Sequence, residues 1–152
     1  MANTQAMATS FKGELLNAYH NFSATNPART VNTADSFKAA LYLASATINA
    51  STTAYTGTGE VSGAGYSAGG VAITAWNAPT TSGTTGFTTP TASITYTSVT
   101  LTTAFDAVLI YNSTQSNRAV SVHTFGSQTV TAGTFTLTMP TNNSTSALIR
   151  LA

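Results

Sequence analysis

The sequence contains no cysteine and very few charges, and each absence excludes a class of protein. Without thiols the chain can form neither a disulfide framework nor a thiolate metal site. Charged residues make up 6% of the chain, whereas about a quarter is usual for globular domains. The five Lys/Arg and four Asp/Glu residues are scattered singly, with a net charge of +1. Because no basic stripe could neutralise a phosphate backbone, we expect no nucleic acid partner.

Long apolar runs are missing as well. No stretch approaches the roughly 20 residues that a bilayer-spanning helix needs, and residues 1–12 lack the basic and apolar regions of a signal peptide. We therefore expect synthesis in a cytoplasm and no contact with a membrane. Hydrophobic residues nevertheless reach 42%, a normal value for a folded chain. Since a net charge near zero promotes association, the composition favours a folded protein that assembles with others.

One short amphipathic helix is predicted within residues 9–22. Its apolar stripe has the spacing i, i+4, i+5 and i+8 and consists of Phe11, Leu15, Leu16 and Tyr19. Asn26 and Pro27 are expected to end the helical region. His20 is placed near the end of the helix, where an imidazole interacts favourably with the helix dipole.

From residue 36 onward the apolar residues follow a period of two, which is typical of strands. Residues 36–44 predict a half-buried strand with Phe37, Leu41 and the other odd positions on its apolar face. A further strand is expected at 71–76, half-buried strands at 118–125 and 129–139, and a short apolar strand at 147–152. Residues 45–70 and 77–90 are rich in Gly, Thr and Ser and predict two long loops, the first of them pliant.

Two features of residues 93–111 go beyond simple alternation. The apolar residues move from even positions, Ile94 and Tyr96, to odd positions, Val99 and Leu101, and such a phase slip predicts a bulge or a corner. Residues 105–111 are apolar at almost every position, which predicts a central strand buried on both faces.

Seven or eight short strands after one helix predict an all-β fold. Their spacing favours an antiparallel β-sandwich with a short N-terminal helix, and eight strands suit a jelly roll. We expect residues 1–35 to form an N-terminal arm and helix, and residues 36–152 to form the sandwich domain.

The residues capable of acid/base chemistry are few: His20, His123, Glu14, Glu60, Asp35 and Asp106. No pair of ligands has the close spacing of a zinc site. Asp106 lies in an apolar strand, and we expect it to pair with Arg118 or Arg150. The sequence thus predicts a protein that is not an enzyme, with no catalytic residue, no cofactor and no metal.

The order of several motifs resembles a family of small virion proteins of tailed bacteriophages. The resemblance is carried by SFKGELLNAYHNF at 10–22, SFKAALY at 36–42, TAY at 53–55, GEVSGAGYSAGG at 59–70 and AVLIYN at 107–112. It continues through Gly126 and the GTFT at 133–136, and so covers nearly the whole chain after Ser10.

The resemblance implies a structural component of the virion, made in the bacterial host. Small all-β phage proteins of this size often act as capsid cement or decoration proteins, and by that analogy we expect a dimer or trimer that binds the major capsid protein or another virion protein. A neck, tail or head-fibre protein is the alternative position in the virion. We expect the assembly contacts at Phe11, Leu15, Tyr19, Tyr66 and Trp76, since aromatic residues are common interface anchors.

A third interpretation belongs to another functional class. Aromatic residues on weakly charged loops also form sugar-stacking platforms, so Tyr55, Tyr66 and Trp76 allow a carbohydrate-binding module for host attachment. A further alternative is that Trp76 simply packs in the core as the last residue of its strand. Composition alone does not separate these possibilities.

Overall fold

The computed structural model describes residues 2–16, 19–23 and 33–152. These contain one helix, eight strands and only antiparallel strand pairs. The elements are β1 (Ala6–Met7), α1 (Thr9–Leu16), β2 (Phe37–Leu43), β3 (Val71–Ile73), β4 (Thr80–Ser82), β5 (Thr85–Thr88), β6 (Ile94–Asn112), β7 (Arg118–Leu137) and β8 (Ile149–Leu151). Two antiparallel sheets pack against each other, which confirms the all-β sandwich with a short N-terminal helix.

The larger sheet has the strand order β1-β7-β6-β2-β3, and the smaller one has the order β4-β5-β8. A jelly roll joins its eight strands as two Greek keys. Here the strands divide five and three, and the two longest are neighbours both in the chain and in the sheet. The described strand order therefore supports the predicted sandwich, but it does not support the more specific prediction of jelly-roll connections.

A single long hairpin, β6 and β7, forms the spine of the larger sheet. Its strands have 19 and 20 residues, where the sequence predicted four separate short strands. The strands stay paired because bulges absorb each change of phase. The predicted slip between Tyr96 and Val99 is confirmed as one of these irregularities, with Ser98 at a φ of 53°. β6 lies between β7 and β2, as expected of the buried segment 105–111.

The N-terminal residues belong to the same core as the strands. β1 pairs with β7, with Ala6 opposite Val122, and α1 also packs on β7. Among the described residues the helix covers Thr9–Leu16 and His20 is not helical, so His20 is not the residue that ends the helix. The predicted stop at Asn26 and Pro27 lies outside the described residues.

β2 is buried on both faces, which corrects the prediction of a half-buried strand. Ala40 and Tyr42, on the face expected to be exposed, are as inaccessible to solvent as Ala39 and Leu41. The reason is the long connection 44–70, whose Thr56 carbonyl accepts the hydroxyl hydrogen of Tyr42. Alternation along β2 could not reveal this cover, because the covering residues come from a loop.

The second predicted loop, 77–90, contains a hairpin. β4 and β5 pair across a turn in which Gly83 has a φ of 59°, and β5 in turn pairs with the C-terminal strand β8. The short strand expected at the C-terminus is thus confirmed, and its partner is a segment that the sequence assigned to a loop.

Candidate functional site

The five residues predicted as assembly anchors occupy two different environments. Tyr19 is 41% exposed, and Leu15 is half-buried on the helix. Phe11 is completely buried, while Tyr66 and Trp76 are half-buried and pack against the core. Leu15 also packs against the core, so Tyr19 is the predicted anchor best placed to meet a partner in the isolated chain.

Phe11 and Trp76 belong to one aromatic cluster beneath the helix. The ring of Phe22 lies 6.2 Å from that of Phe11 and 4.8 Å from that of Trp76, in edge-to-face geometry. Phe37 stacks on Phe22 at 4.5 Å and meets Trp76 at 5.4 Å. Trp76 lies beyond the end of β3, so it packs against the core without being the last residue of its strand.

Tyr66 belongs to a second cluster, centred on the carboxylate of Glu60. Tyr55 donates its hydroxyl hydrogen to Glu60 Oε2 at 2.6 Å, and Tyr66 donates to Oε1 at 2.8 Å. The amide of Gly69 also donates to Oε1, at 2.8 Å. The Tyr66 oxygen in turn accepts the amide hydrogen of Leu41, at 3.0 Å. Glu60 thus fastens the connection 44–70 to β2.

Three further tyrosines form hydrogen bonds nearby through their hydroxyl groups: those of Tyr42 and Tyr111 tie the same connection to the sheet, and that of Tyr96 joins β6 to β2. The donor and acceptor pairs are Tyr42 to Thr56, Tyr96 to Ala39 and Tyr111 to Gly69. The rings stack in two pairs, Tyr55 on Tyr111 at 4.9 Å and Tyr66 on Tyr96 at 5.9 Å. We refer to Glu60 with these five tyrosines as the Glu60 cluster. Sequence analysis missed it, although a lone carboxylate between Tyr55 and Tyr66 was a usable signal.

Burial keeps the hydroxyl groups of the Glu60 cluster protonated. It raises the pKa of Tyr55 to about 12, with the hydrogen bond to Glu60 as the next cause. Burial followed by the same carboxylate also raises the pKa of Tyr66 well above its ordinary value. An ordinary tyrosine, with a pKa of about 10, is already a hydrogen-bond donor at neutral pH, and the raised pKa values extend this donor state into the alkaline range.

The glycine-rich part of the connection is tightly packed, contrary to the expectation of a pliant loop. A Cβ atom on Gly70, whose φ is 69°, would lie 1.8 Å from the carbonyl oxygen of Ala39. At Gly63 the corresponding atom would lie 2.0 Å from the carbonyl oxygen of Thr100. Only glycine permits these approaches of backbone to backbone.

The titratable residues of the N-terminal segment form a separate polar network. Glu14 accepts from His20 Nε2 at 2.7 Å and from Arg118 Nη1 at 2.6 Å. The other ring nitrogen of His20, Nδ1, lies 3.1 Å from Asn112 Nδ2, and that same amide nitrogen donates to Asp35 at 2.7 Å. The predicted candidates Glu14, His20 and Asp35 are thus brought together.

The hydrogen bonds of Asn112 fix the protonation pattern of His20. Asn112 Oδ1 accepts the amide hydrogens of Thr114 and Gln115, so its NH₂ group must face the imidazole. His20 Nδ1 is then an acceptor and Nε2 carries the hydrogen, which is the neutral form. Since both ring nitrogens are engaged with Glu14 and Asn112, His20 has no position left to activate a nucleophile.

His123 lies apart from this network on β7. Its Nε2 is 2.9 Å from the hydroxyl oxygen of Ser121, and burial lowers its pKa to about 4. Ser121 is itself buried, at 2% exposure. A base that weak, next to a covered hydroxyl, is poorly suited to general base catalysis at neutral pH.

The partner expected for Asp106 is wrong. Its carboxylate accepts a hydrogen bond from Asn3 Nδ2 at 2.6 Å. Arg118 instead binds Glu14, and Arg150 donates to the carbonyl of Thr145. Asp106 thus holds the N-terminal arm against β6.

One apolar cleft of about 330 Å³ lies between the helix and the smaller sheet. Its walls include Leu15 on α1, Phe87 on β5 and Leu151 on β8. Leu151 is 42% exposed, which makes it the other large hydrophobic side chain, besides Tyr19, exposed in the described ranges. Within those ranges no three His, Asp or Glu residues come together as metal ligands.

No family model, no curated protein and no solved structure matches the chain. Among residues 2–16, 19–23 and 33–152, no helix is long and apolar enough to cross a membrane.

Proposed function

We propose that the protein is a capsid cement or decoration protein of a tailed bacteriophage, which binds over the lattice of the major capsid protein and stabilises the shell. The sequence resemblance suggests a virion protein. The near-neutral, Thr-rich composition and the densely fastened sandwich are suited to a passive structural role. The proposal is non-enzymatic, in keeping with a His20 whose ring nitrogens are both engaged.

The observation that carries the proposal is the internal use of all four carboxylates. Glu14, Asp35, Glu60 and Asp106 each accept hydrogen bonds from side chains of the same chain. Among the described residues the exposed positions are mainly Thr, Ser, Gly and Ala, and Lys12 and Arg150 are the exposed charged residues. Such a surface binds by shape, apolar burial and neutral hydrogen bonds, and salt affects those contacts little.

Tyr19, Leu15 and Leu151 are the side chains that we assign to the capsid contact. Tyr19 and Leu151 are the exposed large apolar residues, and Leu15 lines the cleft beside Leu151. The guanidinium of Arg118 lies 4.4 Å from the centre of the Tyr19 ring and holds the ring in place. An aromatic ring fixed before binding loses little conformational entropy on contact.

The decisive experiment mixes the purified protein with expanded phage capsids that lack it and images the particles by cryo-electron microscopy. We expect extra density at fixed symmetry positions of the shell, and we expect Tyr19→Ala to lose it. Thr102→Ala, at an exposed position of β6, is the matched control and should bind normally. Bare shells would refute the cement role and favour the neck, tail or head-fibre alternative, whose test is labelling of whole virions.

The carbohydrate-binding alternative receives less support from the geometry. Sugar stacking needs an open aromatic face, whereas Trp76 is in ring contact with Phe22 and Phe37, and Tyr66 stacks on Tyr96. A glycan affinity that Trp76→Ala abolishes would reverse this preference.

A further inference from the structure

The outer edge of β7 is largely without a partner in the described chain. β1 pairs with Ser121 and Val122 only. Beyond Val122 the strand continues to Leu137 with β6 on one side and no described strand on the other. An edge of this kind offers a row of backbone N–H and C=O groups to another strand.

Bulges divide this edge and leave one regular stretch. The pairing with β6 is irregular between Thr124 and Gln128 and again between Val130 and Gly133, where Ala132 has a φ of 45°. Bulges twist an edge away from further pairing and so protect it. Residues 133–137 lie beyond the last bulge on β7. The irregularity between Gly133 and Phe135 comes from one extra residue on β6, between Tyr96 and Val99, and Phe135, Thr136 and Leu137 are in continuous register with β6.

The stretch 133–137 lacks the other features that protect sheet edges. It contains no proline and no charge, and the sequence has no Asp, Glu, Lys or Arg between Arg118 and Arg150. Thr134 and Thr136 are exposed on one face, while Phe135 and Leu137 are only half-buried on the other. A strand laid beside this edge would cover more of those two apolar side chains.

We propose that residues 133–137 pair in antiparallel fashion with the same residues of a second copy, which joins two five-stranded sheets across a two-fold axis. An antiparallel edge is self-complementary, because each copy supplies the donors and acceptors that the other needs. A second copy also suits the uncharged edge, since two chains of net charge +1 repel each other only weakly. The aromatic ring of Phe135 then lies near its symmetry mate.

The expected dimer is weak. Five residues span about 17 Å, and so short a strand pair covers well under the roughly 800 Å² per partner of a standard interface. Association through this edge alone is therefore transient. It would be strengthened if many copies were held at regular spacing on a larger assembly. The inference does not depend on capsid binding and is tested without capsids.

The absence of native cysteine allows a direct test by disulfide trapping. We would make Thr134→Cys and Thr136→Cys, oxidise each alone and as a mixture under mild conditions, and measure the covalent dimer on non-reducing gels. Residues opposite each other in an antiparallel pair have Cα atoms about 5 Å apart, within disulfide range. The control is Thr95→Cys, which is also exposed but lies opposite Thr136 on the neighbouring strand β6, away from the proposed edge.

We expect rapid dimer formation from at least one of the edge preparations and little from the control. Equal yields for Thr95→Cys, or no dimer from any edge preparation, would overturn the proposal. In a second measurement, sedimentation equilibrium of the protein without cysteine substitutions should detect the weak dimer. The substitution Thr136→Lys should weaken it roughly fivefold or more, because the two introduced lysines lie diagonally across the edge, about 7 to 8 Å apart, and repel each other. Thr95→Lys should not weaken it. Unchanged dimerisation of Thr136→Lys would also reject the assigned edge.

Discussion

Removal of the Glu60 carboxylate should cost the protein a large part of its stability. In Glu60→Ala the hydroxyl groups of Tyr55 and Tyr66 and the amide of Gly69 lose their acceptor. Hydrogen bonds to a charged group contribute about 1.5 to 3 kcal/mol each. Because Tyr55 and Tyr66 are half-buried and water can replace part of the loss, we expect the free energy of unfolding to fall by about 4 kcal/mol.

Two milder variants test whether the charge or the packing matters. Glu60→Gln keeps the shape of the side chain and one acceptor oxygen, so it should lower the free energy of unfolding by about 1 to 2 kcal/mol. Tyr55→Phe removes a single hydrogen bond and should lower it by about 1 kcal/mol. Urea unfolding followed by tryptophan fluorescence measures all three. Ser62→Ala, exposed in the same connection, is the control and should change stability little.

Hydrogen exchange locates the effect. In Glu60→Ala we expect faster exchange of the amides in residues 53–70 and unchanged protection in the β6–β7 hairpin near its turn. A loss of less than about 1 kcal/mol in Glu60→Ala, or exchange that rises equally throughout the sheet, would refute the conclusion that Glu60 fastens this connection.

Three further predictions concern other parts of the chain. Gly70→Ala should lower the free energy of unfolding, measured in urea, by about 3 kcal/mol or more, because the added Cβ would meet the carbonyl oxygen of Ala39. Gly126→Ala, where the added Cβ would lie in open space, is the control and should be nearly neutral. Equal effects of the two substitutions would contradict the close packing of Gly70. Burial lowers the pKa of His123 to about 4 in the folded protein, below the unfolded value of about 6.5. The neutral imidazole therefore makes its whole contribution to the free energy of unfolding above pH 6.5, and about 2 to 3 kcal/mol of it should be lost as the pH drops to 4. Thermal unfolding of His123→Gln across that range should lack this part of the slope. Capsid binding, measured by co-sedimentation, should change less than about threefold between 50 and 500 mM salt, and a steep loss would indicate a charged interface.

Local sequence pattern determined much of the all-β architecture. Alternation of Phe135 and Leu137 with threonines marks the half-buried end of β7, and the phase slip after Tyr96 marks the bulge at Ser98. The apolar run 105–111 identifies the central strand for the same reason, since burial on both faces needs apolar side chains at successive positions. These features depend on neighbours a few residues apart, and a sequence displays such neighbours directly.

Other features depend on residues far apart in the chain, and only the tertiary structure decided them. Asp106 meets Asn3 across 103 positions, and neither residue carries a signal for the other. Tyr42 is buried because the connection 44–70 folds over it, which strand periodicity cannot express.

The candidate site divides in the same way. The sequence identified aromatic residues and scarce carboxylates as the unusual groups, but it could not distinguish an exposed Tyr19 from a buried Phe11. Whether a side chain faces solvent or the core depends on what packs against its element. Composition and periodicity therefore determined that this is a weakly charged β-sandwich, while long-range contacts decided which residues fasten it and which remain for a partner.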